Sequence, residues 1–545
     1  MALGSLLALL LSASTFNLAS SAPATTFAGA GQTGLPLRRP AYFNPITVPG
    51  TALAAGAPVL NGFVSYSIEL AFLPDFAGNK ADPNTFSDSL LNNLKEFQGS
   101  KPNIRVGGNT QDFALFDKNL KSAINATYTS VSPDWPAFLD LGPLFFESYQ
   151  VWPEVQFIHG FNLAGNSSDS VSSLTSSVPY ACKALSESNF LSWEMGNEPN
   201  LYRPYSRRPS SWSETDYVKE WNEKVTSIEN TVKESCGAEW VTKQKPKWIA
   251  PSFADVSGGL DEVETWKAGL NSNGLVTQFS AHNYIDGATQ PGVTLAGTLM
   301  NHTRTTASVV HHNAKAKALA DAGMKLDYIL SEANSLFGQG APGLSNSFGA
   351  ALWGVDFNLM CAATNIKQVF MHMGTNYRYT SWQPVSTNSS TIGTKPPYYG
   401  NIAVAAALGN ITKSSIRVQN IPLKAETEAA YAIYAEDKLE RLMVINLNQY
   451  NYSIPNPAPR PEIAYNFTLP ASCAGSGVVQ RLIANGSDAI TGITFNGISY
   501  NYELDEGKPK AMLNVTRDDT VWVGQDGGVQ VWVPWSSAAL VRLRC

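Results

Sequence analysis

The chain has 545 residues, of which 44% are apolar and 15% are charged, and its formal net charge is −6. A chain of this length and apolar content can bury a large core, which excludes a mainly disordered protein and predicts two or three domains of roughly 100 to 200 residues each. The low and slightly acidic charge excludes a broad basic surface, so we expect neither nucleic acid nor an anionic membrane as a partner.

The first residues have the pattern of a cleavable export signal. An apolar run from Leu6 to Leu11 precedes mostly small residues up to about Ala22, and we assign residues 1–22 to a signal peptide. No later stretch reaches the ~18 consecutive apolar residues of a membrane-spanning helix. These features predict a secreted, extracellular protein.

Nine Asn-X-Ser/Thr sequons agree with export and are candidate glycosylation sites. They are Asn125, Asn166, Asn301, Asn388, Asn410, Asn451, Asn466, Asn485 and Asn514. Five cysteines form no C-x-x-C pair, which argues against a zinc ribbon or a thioredoxin-like site. We expect one or two disulfides and a buried free thiol, with Cys473–Cys545 as the preferred pair.

Eight short apolar or β-branched runs lie between residues 63 and 374 and alternate with segments of helical periodicity. The runs are Phe63–Leu70, Asn103–Gly107, Val155–Gly160, Leu191–Asn197, Lys247–Pro251, Gln278–Tyr284, Asp327–Glu332 and Lys367–Gly374. This alternation predicts an α/β fold, a (β/α)₈ TIM barrel over residues 58–412, with a doubly wound sheet as the alternative.

The pattern changes from about Ile416 to alternating strands with turns rich in Gly, Asn and Pro, which predicts a C-terminal β-sandwich over residues 413–545. The expected strands include Ala429–Ala435, Arg441–Leu447, Val478–Ile483 and Val529–Trp535. Residues 23–57 are rich in Gly, Pro and Ala, and form either a linker or an edge strand that pairs with the sandwich.

Two glutamates follow barrel strands at the end where TIM-barrel enzymes carry their catalytic groups. Glu198 follows the fourth run and Glu332 ends the seventh. A retaining glycosidase needs two carboxylates about 5 to 5.5 Å apart, one to protonate the leaving oxygen and one to attack the sugar. A solvated surface glutamate is the ordinary alternative for each, but the shared strand-end position favours a catalytic pair.

Other polar side chains occur within or at the ends of these runs. Arg105 lies inside an apolar strand, where a charge needs a partner, and we expect it to keep Glu332 ionised. Tyr284 ends the sixth run and is placed to donate a hydrogen bond to the nucleophile, while His282 is interpreted as a core histidine. His311 and His312 are neighbours on a helix and should not share one face, so no metal site and no cofactor are expected.

The motifs Gly196-Asn197-Glu198-Pro199-Asn200 and Ser331-Glu332-Ala333-Asn334-Ser335-Leu336-Phe337-Gly338-Gln339-Gly340-Ala341-Pro342 resemble those of glycoside hydrolase family 79. That family contains heparanases and microbial β-glucuronidases. The resemblance continues through His282-Asn283-Tyr284, Gly374-Thr375-Asn376-Tyr377 and Tyr398-Tyr399-Gly400.

The resemblance implies that Glu198 is the acid/base and Glu332 the nucleophile. It further implies that Asn197 contacts the sugar 2-hydroxyl and that Glu69 binds hydroxyls on the far side of the ring. The C6 carboxylate of glucuronic acid would be bound by three groups: the backbone N–H groups at Gly338 and Gln339 and the hydroxyl of Tyr377.

Some positions depart from the heparanase pattern. Gln339 replaces a second glycine, Phe337 a tyrosine, and Glu69 an aspartate. Heparanases also need basic clusters for a sulfated polymer, whereas the longest basic-rich stretch here is Lys243–Lys247. The expected activity is therefore hydrolysis of terminal β-linked glucuronic acid, with or without a 4-O-methyl group. The alternatives are a barrel glycosidase acting on neutral pentosides, an endo-acting heparanase-like hydrolase, and a non-catalytic carbohydrate-binding protein.

Overall fold

A computed structural model describes residues 38–40, 45–130, 132–185, 188–238, 247–255 and 259–545. The signal peptide expected at residues 1–22 lies outside the described residues, as do residues 243–246 of the basic-rich stretch. Within the described chain, no helix is both long enough and apolar enough to cross a membrane.

Eight parallel strands form a closed barrel. They are β1 (Val64–Glu69), β2 (Ile104–Gly107), β3 (Phe157–Phe161), β4 (Phe190–Met195), β5 (Trp248–Phe253), β6 (Val276–Gly287), β7 (Asp327–Phe337) and β8 (Val369–Met373). Each pairs with the next, and β8 pairs with β1 to close the ring. The TIM barrel predicted from the eight runs is confirmed, and the doubly wound alternative is wrong.

The α-helices that accompany the barrel strands are Leu73–Ala77, Thr85–Gln98, Ser168–Ala184, Glu214–Cys236, Glu262–Lys267, His302–Asp321, Phe348–Ala363 and Pro396–Leu408. The helix Glu214–Cys236 begins with a capping box between Ser213 and Asp216, which satisfies two free backbone N–H groups. Every residue of Pro396–Leu408 is buried, as its uniformly apolar sequence requires.

An insertion between β2 and β3 brings side chains to the mouth of the barrel. It contains the short strands Ala114–Phe116, Ile124–Thr127 and Phe138–Leu141, which form a three-stranded sheet, and a 3-10 helix at Pro143–Gln150. Asp134 and Trp135 lie in this insertion, and Trp135 reaches the large cavity described below.

Two sheets form the C-terminal β-sandwich. The larger contains Ile416–Asn420, Glu428–Ala435, Lys438–Asn446, Gly475–Ile483, Thr494–Phe495, Ile498–Ser499, Lys510–Ala511, Asp519–Val523 and Ser537–Arg542. The smaller contains Arg38–Pro40, Ile46–Thr47, Glu462–Thr468 and Gly528–Pro534. All four strands expected from the sequence are present, and the two N-terminal strands pair in parallel with Glu462–Thr468.

Two disulfides occur in the described chain. Cys473–Cys545 joins two parts of the sandwich, as predicted, and Cys182–Cys236 links the ends of two barrel helices. Cys361 is a buried free thiol. The expectation of one or two disulfides with a buried thiol is confirmed.

Candidate active site

A cavity of about 400 Å³ lies at the C-terminal ends of the barrel strands. Its lining includes Glu69, Asn109, Trp135, Glu198, Leu201, Tyr205, Tyr284, Glu332, Phe337, Gly338, Gln339, His372, Tyr377 and Tyr379. Seven of the nine site residues expected from the sequence therefore line one cavity. The other two, Arg105 and Asn197, are buried beside it.

Glu332 lies on β7 with 8% of its side chain exposed. Its Oε2 accepts a hydrogen bond from Arg105 at 2.6 Å, and its Oε1 accepts one from the hydroxyl of Tyr284 at 2.8 Å. Burial would raise the pKa of Glu332, but the charges of His372, His282 and Arg105 and the Tyr284 hydrogen bond outweigh it and lower this pKa. The lowered pKa favours the ionised carboxylate of Glu332, which is the form that a nucleophile requires.

Glu198 lies just beyond β4, in a left-handed backbone conformation with φ of 50°. Its backbone N–H donates to the carbonyl of Ser252 at 3.0 Å, which fixes this strained position next to β5. Its Oε1 lies 3.0 Å from Nδ1 of His282. The His282 ring is fully buried, as expected of a core histidine, and it also contacts the site through Glu198.

The two carboxyl groups are close together. One carboxylate oxygen of Glu198 and one of Glu332 lie within 4.8 Å of each other. Retaining glycosidases hold their carboxyl groups about 5 to 5.5 Å apart, whereas inverting enzymes need about 6.5 to 9.5 Å to admit a water molecule. The arrangement can support double displacement with retention of configuration.

Arg105 is fully buried beneath these two glutamates. Besides Glu332, its guanidinium donates to Glu194 at 2.9 Å, to Asn197 at 2.8 Å and to Ser67 at 3.0 Å. A buried cation needs such compensation, and Glu194 supplies a full negative charge. Through Arg105 these contacts connect Glu332 to the Asn197 side chain, which precedes Glu198 in the chain.

Glu69 and His372 form the opposite wall. Glu69 Oε1 accepts hydrogen bonds from the backbone N–H and the hydroxyl of Thr110 at 2.8 and 2.6 Å, and Oε2 accepts one from Tyr377 at 3.3 Å. Nε2 of His372 lies 3.4 Å from Glu69, and Nδ1 lies 3.7 Å from Glu332. Burial lowers the pKa of His372, but Glu332 and Glu69 outweigh it and raise this pKa, which favours an imidazolium between two carboxylates.

The segment after β7 lines the cavity with Gly338 and Gln339. Gly338, Gln339 and Gly340 have φ values of 79°, 63° and 77°, a run of left-handed residues that is strained at the glutamine. The Gln339 carbonyl accepts from the N–H of Arg378 at 2.8 Å, while the N–H groups of Gly338 and Gln339 have no acceptor among the described residues. Consecutive N–H groups in such a turn form an anion-binding concavity.

Sequence reasoning missed two charged residues of this site, Glu194 and His372. Each is a polar residue inside an otherwise apolar strand run, the same signal that identified Arg105. The periodicity of the sequence does not show which residues of an apolar run face the barrel axis, so the positions of Glu194 and His372 could not be predicted from it.

The expectation for the neighbouring histidines was wrong. The rings of His311 and His312 lie 4.1 Å apart, and both approach Asp255 within 4.8 Å. However, the two ring nitrogens of His312 already contact Tyr328 and Asn283. Lys315, which is 3.1 Å from Asp255, adds positive charge, so this group is an ion-pair network rather than a cation site.

Comparisons of the sequence with known proteins all point to the same enzyme family. The family model for the glycosyl hydrolase family 79 C-terminal beta domain matches residues 430–540. A β-glucuronidase of Aspergillus niger is 54% identical over 503 residues, covering 90% of this chain and 92% of the relative. A β-glucuronidase of Neurospora crassa is 46% identical over 547 residues, covering 92% of this chain and 97% of the relative.

Solved structures share the fold at lower identity. A 4-O-α-L-rhamnosyl-β-D-glucuronidase of Fusarium oxysporum 12S superimposes with a TM-score of 0.73 at 22% identity, covering 91% of this chain and 100% of that chain. A GH51 arabinofuranosidase of Xanthomonas axonopodis pv. citri gives a TM-score of 0.56 at 13% identity, covering 90% and 98%. Both likenesses concern the barrel-plus-sandwich architecture.

Proposed function

The chain belongs to glycoside hydrolase family 79, and on that premise we propose that it removes terminal β-linked glucuronic acid, with or without a 4-O-methyl group, with retention of configuration. The observation that carries the proposal is the pair of carboxylates, Glu198 and Glu332, with oxygens within 4.8 Å of each other in one cavity.

In the first step Glu198 donates a proton to the glycosidic oxygen while the Glu332 carboxylate attacks the anomeric carbon. The bond between that carbon and the leaving oxygen breaks, and the leaving group departs as an alcohol. Arg105 and Tyr284, each bonded to one oxygen of Glu332, hold the attacking carboxylate in a single orientation.

In the second step water attacks the anomeric carbon of the glycosyl-enzyme. Glu198, now a carboxylate, takes the proton of that water, and the bond to Glu332 breaks. Two inversions give net retention, and the balance of atoms requires only water besides the substrate. No cofactor enters either step.

Selection of glucuronic acid rests on the turn after β7. Gly338 and Gln339 line the cavity, and their N–H groups have no acceptor among the described residues, so a C6 carboxylate bound there can accept from both. The Tyr377 hydroxyl bonds Glu69 in the structure and would turn from it to the bound carboxylate. Glu69 then keeps its Thr110 contacts and accepts from the sugar hydroxyls.

Action on chain ends is supported by a bridge across the mouth of the barrel. Asp134 in the β2–β3 insertion pairs with Arg378 after β8 at 2.8 Å. Arg378 also donates to the Gly340 carbonyl at 3.1 Å, so three loops are joined on the side of the cavity that carries Gly340 and Tyr377. A cleft closed on this side admits a terminal sugar rather than the middle of a polymer.

Proton NMR of the first product and a panel of p-nitrophenyl glycosides together test the proposal. We expect the β-glucuronide to be hydrolysed with the β-anomer of glucuronic acid appearing first, and the β-xyloside and α-arabinofuranoside to be at least ~100-fold poorer substrates, since they lack the carboxylate. A preference for either pentoside would contradict the carboxylate site. Initial release of the α-anomer would contradict the assignment of a nucleophile.

Export into an oxidising compartment is part of the same proposal. Two disulfides in the described chain are typical of secreted proteins. Asn125, Asn166, Asn388, Asn485 and Asn514 are exposed sequons and are the preferred glycosylation sites. Asn301 is only 8% exposed, and its side chain caps the helix His302–Asp321, so we expect it to stay unmodified.

A further inference from the structure

A second cavity of about 280 Å³ opens beside Glu198, and we refer to it as the side cavity. Its walls include Trp135, Tyr205 and Arg207. It adjoins the main cavity, with which it shares Asn109, Trp135, Glu198, Leu201 and Tyr205. Tyr205 is 67% exposed, so its ring is accessible to a ligand. None of Trp135, Tyr205 and Arg207 takes part in the steps described above.

The position of the side cavity relates it to the leaving group. An acid/base carboxyl must face the glycosidic oxygen, beyond which the leaving group extends. The glucuronic acid itself is proposed to contact Glu69 at the end of β1 and Gln339 after β7. The side cavity extends from the main cavity on the Glu198 side, where the loops after β2 and β4 form its walls and Arg207 is a wall of the side cavity alone.

Arg207 presents a cation to this cavity. Its guanidinium is 32% exposed and lies 3.6 Å from Asp112, an ion pair longer than a hydrogen bond. Asp112 Oδ2 already accepts from the Tyr202 hydroxyl at 2.6 Å and from the Asn197 N–H at 3.1 Å. Among the described residues the Arg207 guanidinium has no hydrogen-bond acceptor, so its donors remain for a ligand.

The other walls set the shape and polarity of that ligand. The Asn109 carbonyl oxygen accepts from the Asn197 amide at 3.2 Å, which leaves the Asn109 amide N–H groups as further donors beside Arg207. Trp135 and Tyr205 provide flat aromatic surfaces, which favour a ring with an apolar face.

We infer that the side cavity binds the leaving group and selects one that has a ring with an apolar face and a carboxylate, the carboxylate being held by Arg207. This inference rests on the proposed β-glucuronidase activity. Two kinds of compound share this chemistry: an aryl group with an acidic substituent, and a second sugar that is itself a uronic acid. A guanidinium binds a carboxylate through two parallel hydrogen bonds, which adds direction as well as attraction.

The test compares matched substrates in the wild type and in Arg207→Gln. The aryl pair is 4-carboxyphenyl β-glucuronide and its methyl ester, and the sugar pair is a β-glucuronosyl disaccharide ending in a uronic acid or in the corresponding neutral sugar. In at least one pair, Arg207→Gln should lower kcat/KM for the carboxylate substrate about ten-fold or more beyond its effect on the neutral substrate, mainly through KM. The pair with the selective loss identifies the kind of leaving group.

Two variants serve as controls. Arg203→Gln removes another arginine of the same loop, which donates to the Trp212 carbonyl and lines neither cavity, and it should show no selective loss. Arg207→Lys should recover part of the selectivity because it keeps the charge. Equal losses on both members of both pairs would overturn the inference while leaving the glucuronidase proposal intact. Failure of wild-type protein to cleave any glucuronide would overturn the proposed function instead.

Discussion

The mouth of the barrel and the core of the sandwich bury different kinds of residues. The barrel mouth buries a connected group of ionisable residues, among them Arg105, Glu194, Glu332, Glu69 and His372, each of which is no more than 6% exposed as a whole residue. The sandwich core, between its two sheets, is built largely from aliphatic and aromatic residues. Buried charges cost desolvation energy, whereas buried apolar groups stabilise by leaving water. The difference indicates that the barrel mouth is organised for chemistry and the sandwich for stability.

Among the substitutions proposed here, Glu332→Ala is expected to have the largest effect, and that effect is on activity. Removing the proposed nucleophile should lower kcat by about 10⁴-fold or more while the protein stays folded, because Arg105 keeps Glu194 as a buried anionic partner. The measurement is turnover of p-nitrophenyl β-glucuronide, with circular dichroism to check folding. Glu264→Ala, at an exposed glutamate paired with Lys267, is the matched control and should be fully active.

Azide rescue distinguishes the roles of the two glutamates. Azide added to Glu332→Ala should attack from the vacated face and give the α-glucuronosyl azide. Azide added to Glu198→Ala should attack the glycosyl-enzyme and give the β-azide. The same anomer from both variants, or near-normal hydrolysis by Glu332→Ala, would contradict the assignment.

Leu442→Ala should have the next largest effect, and on stability alone. Leu442 is fully buried in the sandwich core, and truncating a leucine in a packed core costs about 2 to 5 kcal/mol of unfolding free energy. Chemical denaturation followed by tryptophan fluorescence measures the loss. Leu513→Ala, at a leucine that is 99% exposed, should change stability by less than about 0.5 kcal/mol. A lower kcat per folded molecule of Leu442→Ala would contradict the view that the sandwich contributes to stability and the barrel mouth to catalysis.

The same contrast explains what could be predicted from the sequence. Alternation of apolar runs and helical segments identifies the eight barrel strands, because β-strands buried on both faces read as continuous apolar runs. The sandwich strands follow from alternation, and Glu198 and Glu332 from their strand-end positions. These are local patterns that a single stretch of chain can carry.

Contacts between residues on different barrel strands could not be predicted from such local patterns. Nothing near His372 in sequence indicates that its ring would lie between Glu69 and Glu332, since those contacts depend on the closure of β8 against β1 and on side-chain rotamers. The Asp134–Arg378 bridge joins residues on separate loops for the same reason. The proximity of His311 to His312 was misjudged because long side chains on adjacent helix positions can turn toward one partner.

His372→Gln should have a smaller effect, which depends on pH. The raised pKa of His372 means that its charged form stabilises the fold below the unfolded-state pKa, and that this contribution is lost as pH rises through the raised pKa. Glu69, Glu332 and Arg105 are the charged groups that face it. Wild type should exceed His372→Gln in unfolding free energy by about 1 to 3 kcal/mol at pH 5, with the gap closing at alkaline pH. A gap that does not change with pH would mean that His372 is neutral.

Tyr284→Phe should have the smallest effect. It can be compared directly with Tyr434→Phe, an equivalent substitution in the sandwich. The hydroxyl of Tyr284 helps lower the pKa of Glu332, so its removal should raise that pKa and move the acidic limb of the kcat/KM profile to higher pH. The loss of one hydrogen bond to a charged group should also reduce kcat about ten-fold.

Tyr434→Phe deletes a matching hydroxyl in the sandwich, which donates to the carbonyl of Pro49 at 3.0 Å. Both variants lose one phenol hydrogen bond and keep the ring, so their stabilities should fall by similar amounts of about 1 kcal/mol. Only Tyr284→Phe should alter the pH profile, because only Tyr284 bonds a reacting group. If Tyr434→Phe shifted the acidic limb equally, the sandwich would have to be coupled to the charges of the barrel mouth. Stability and chemistry would then no longer divide between the two regions.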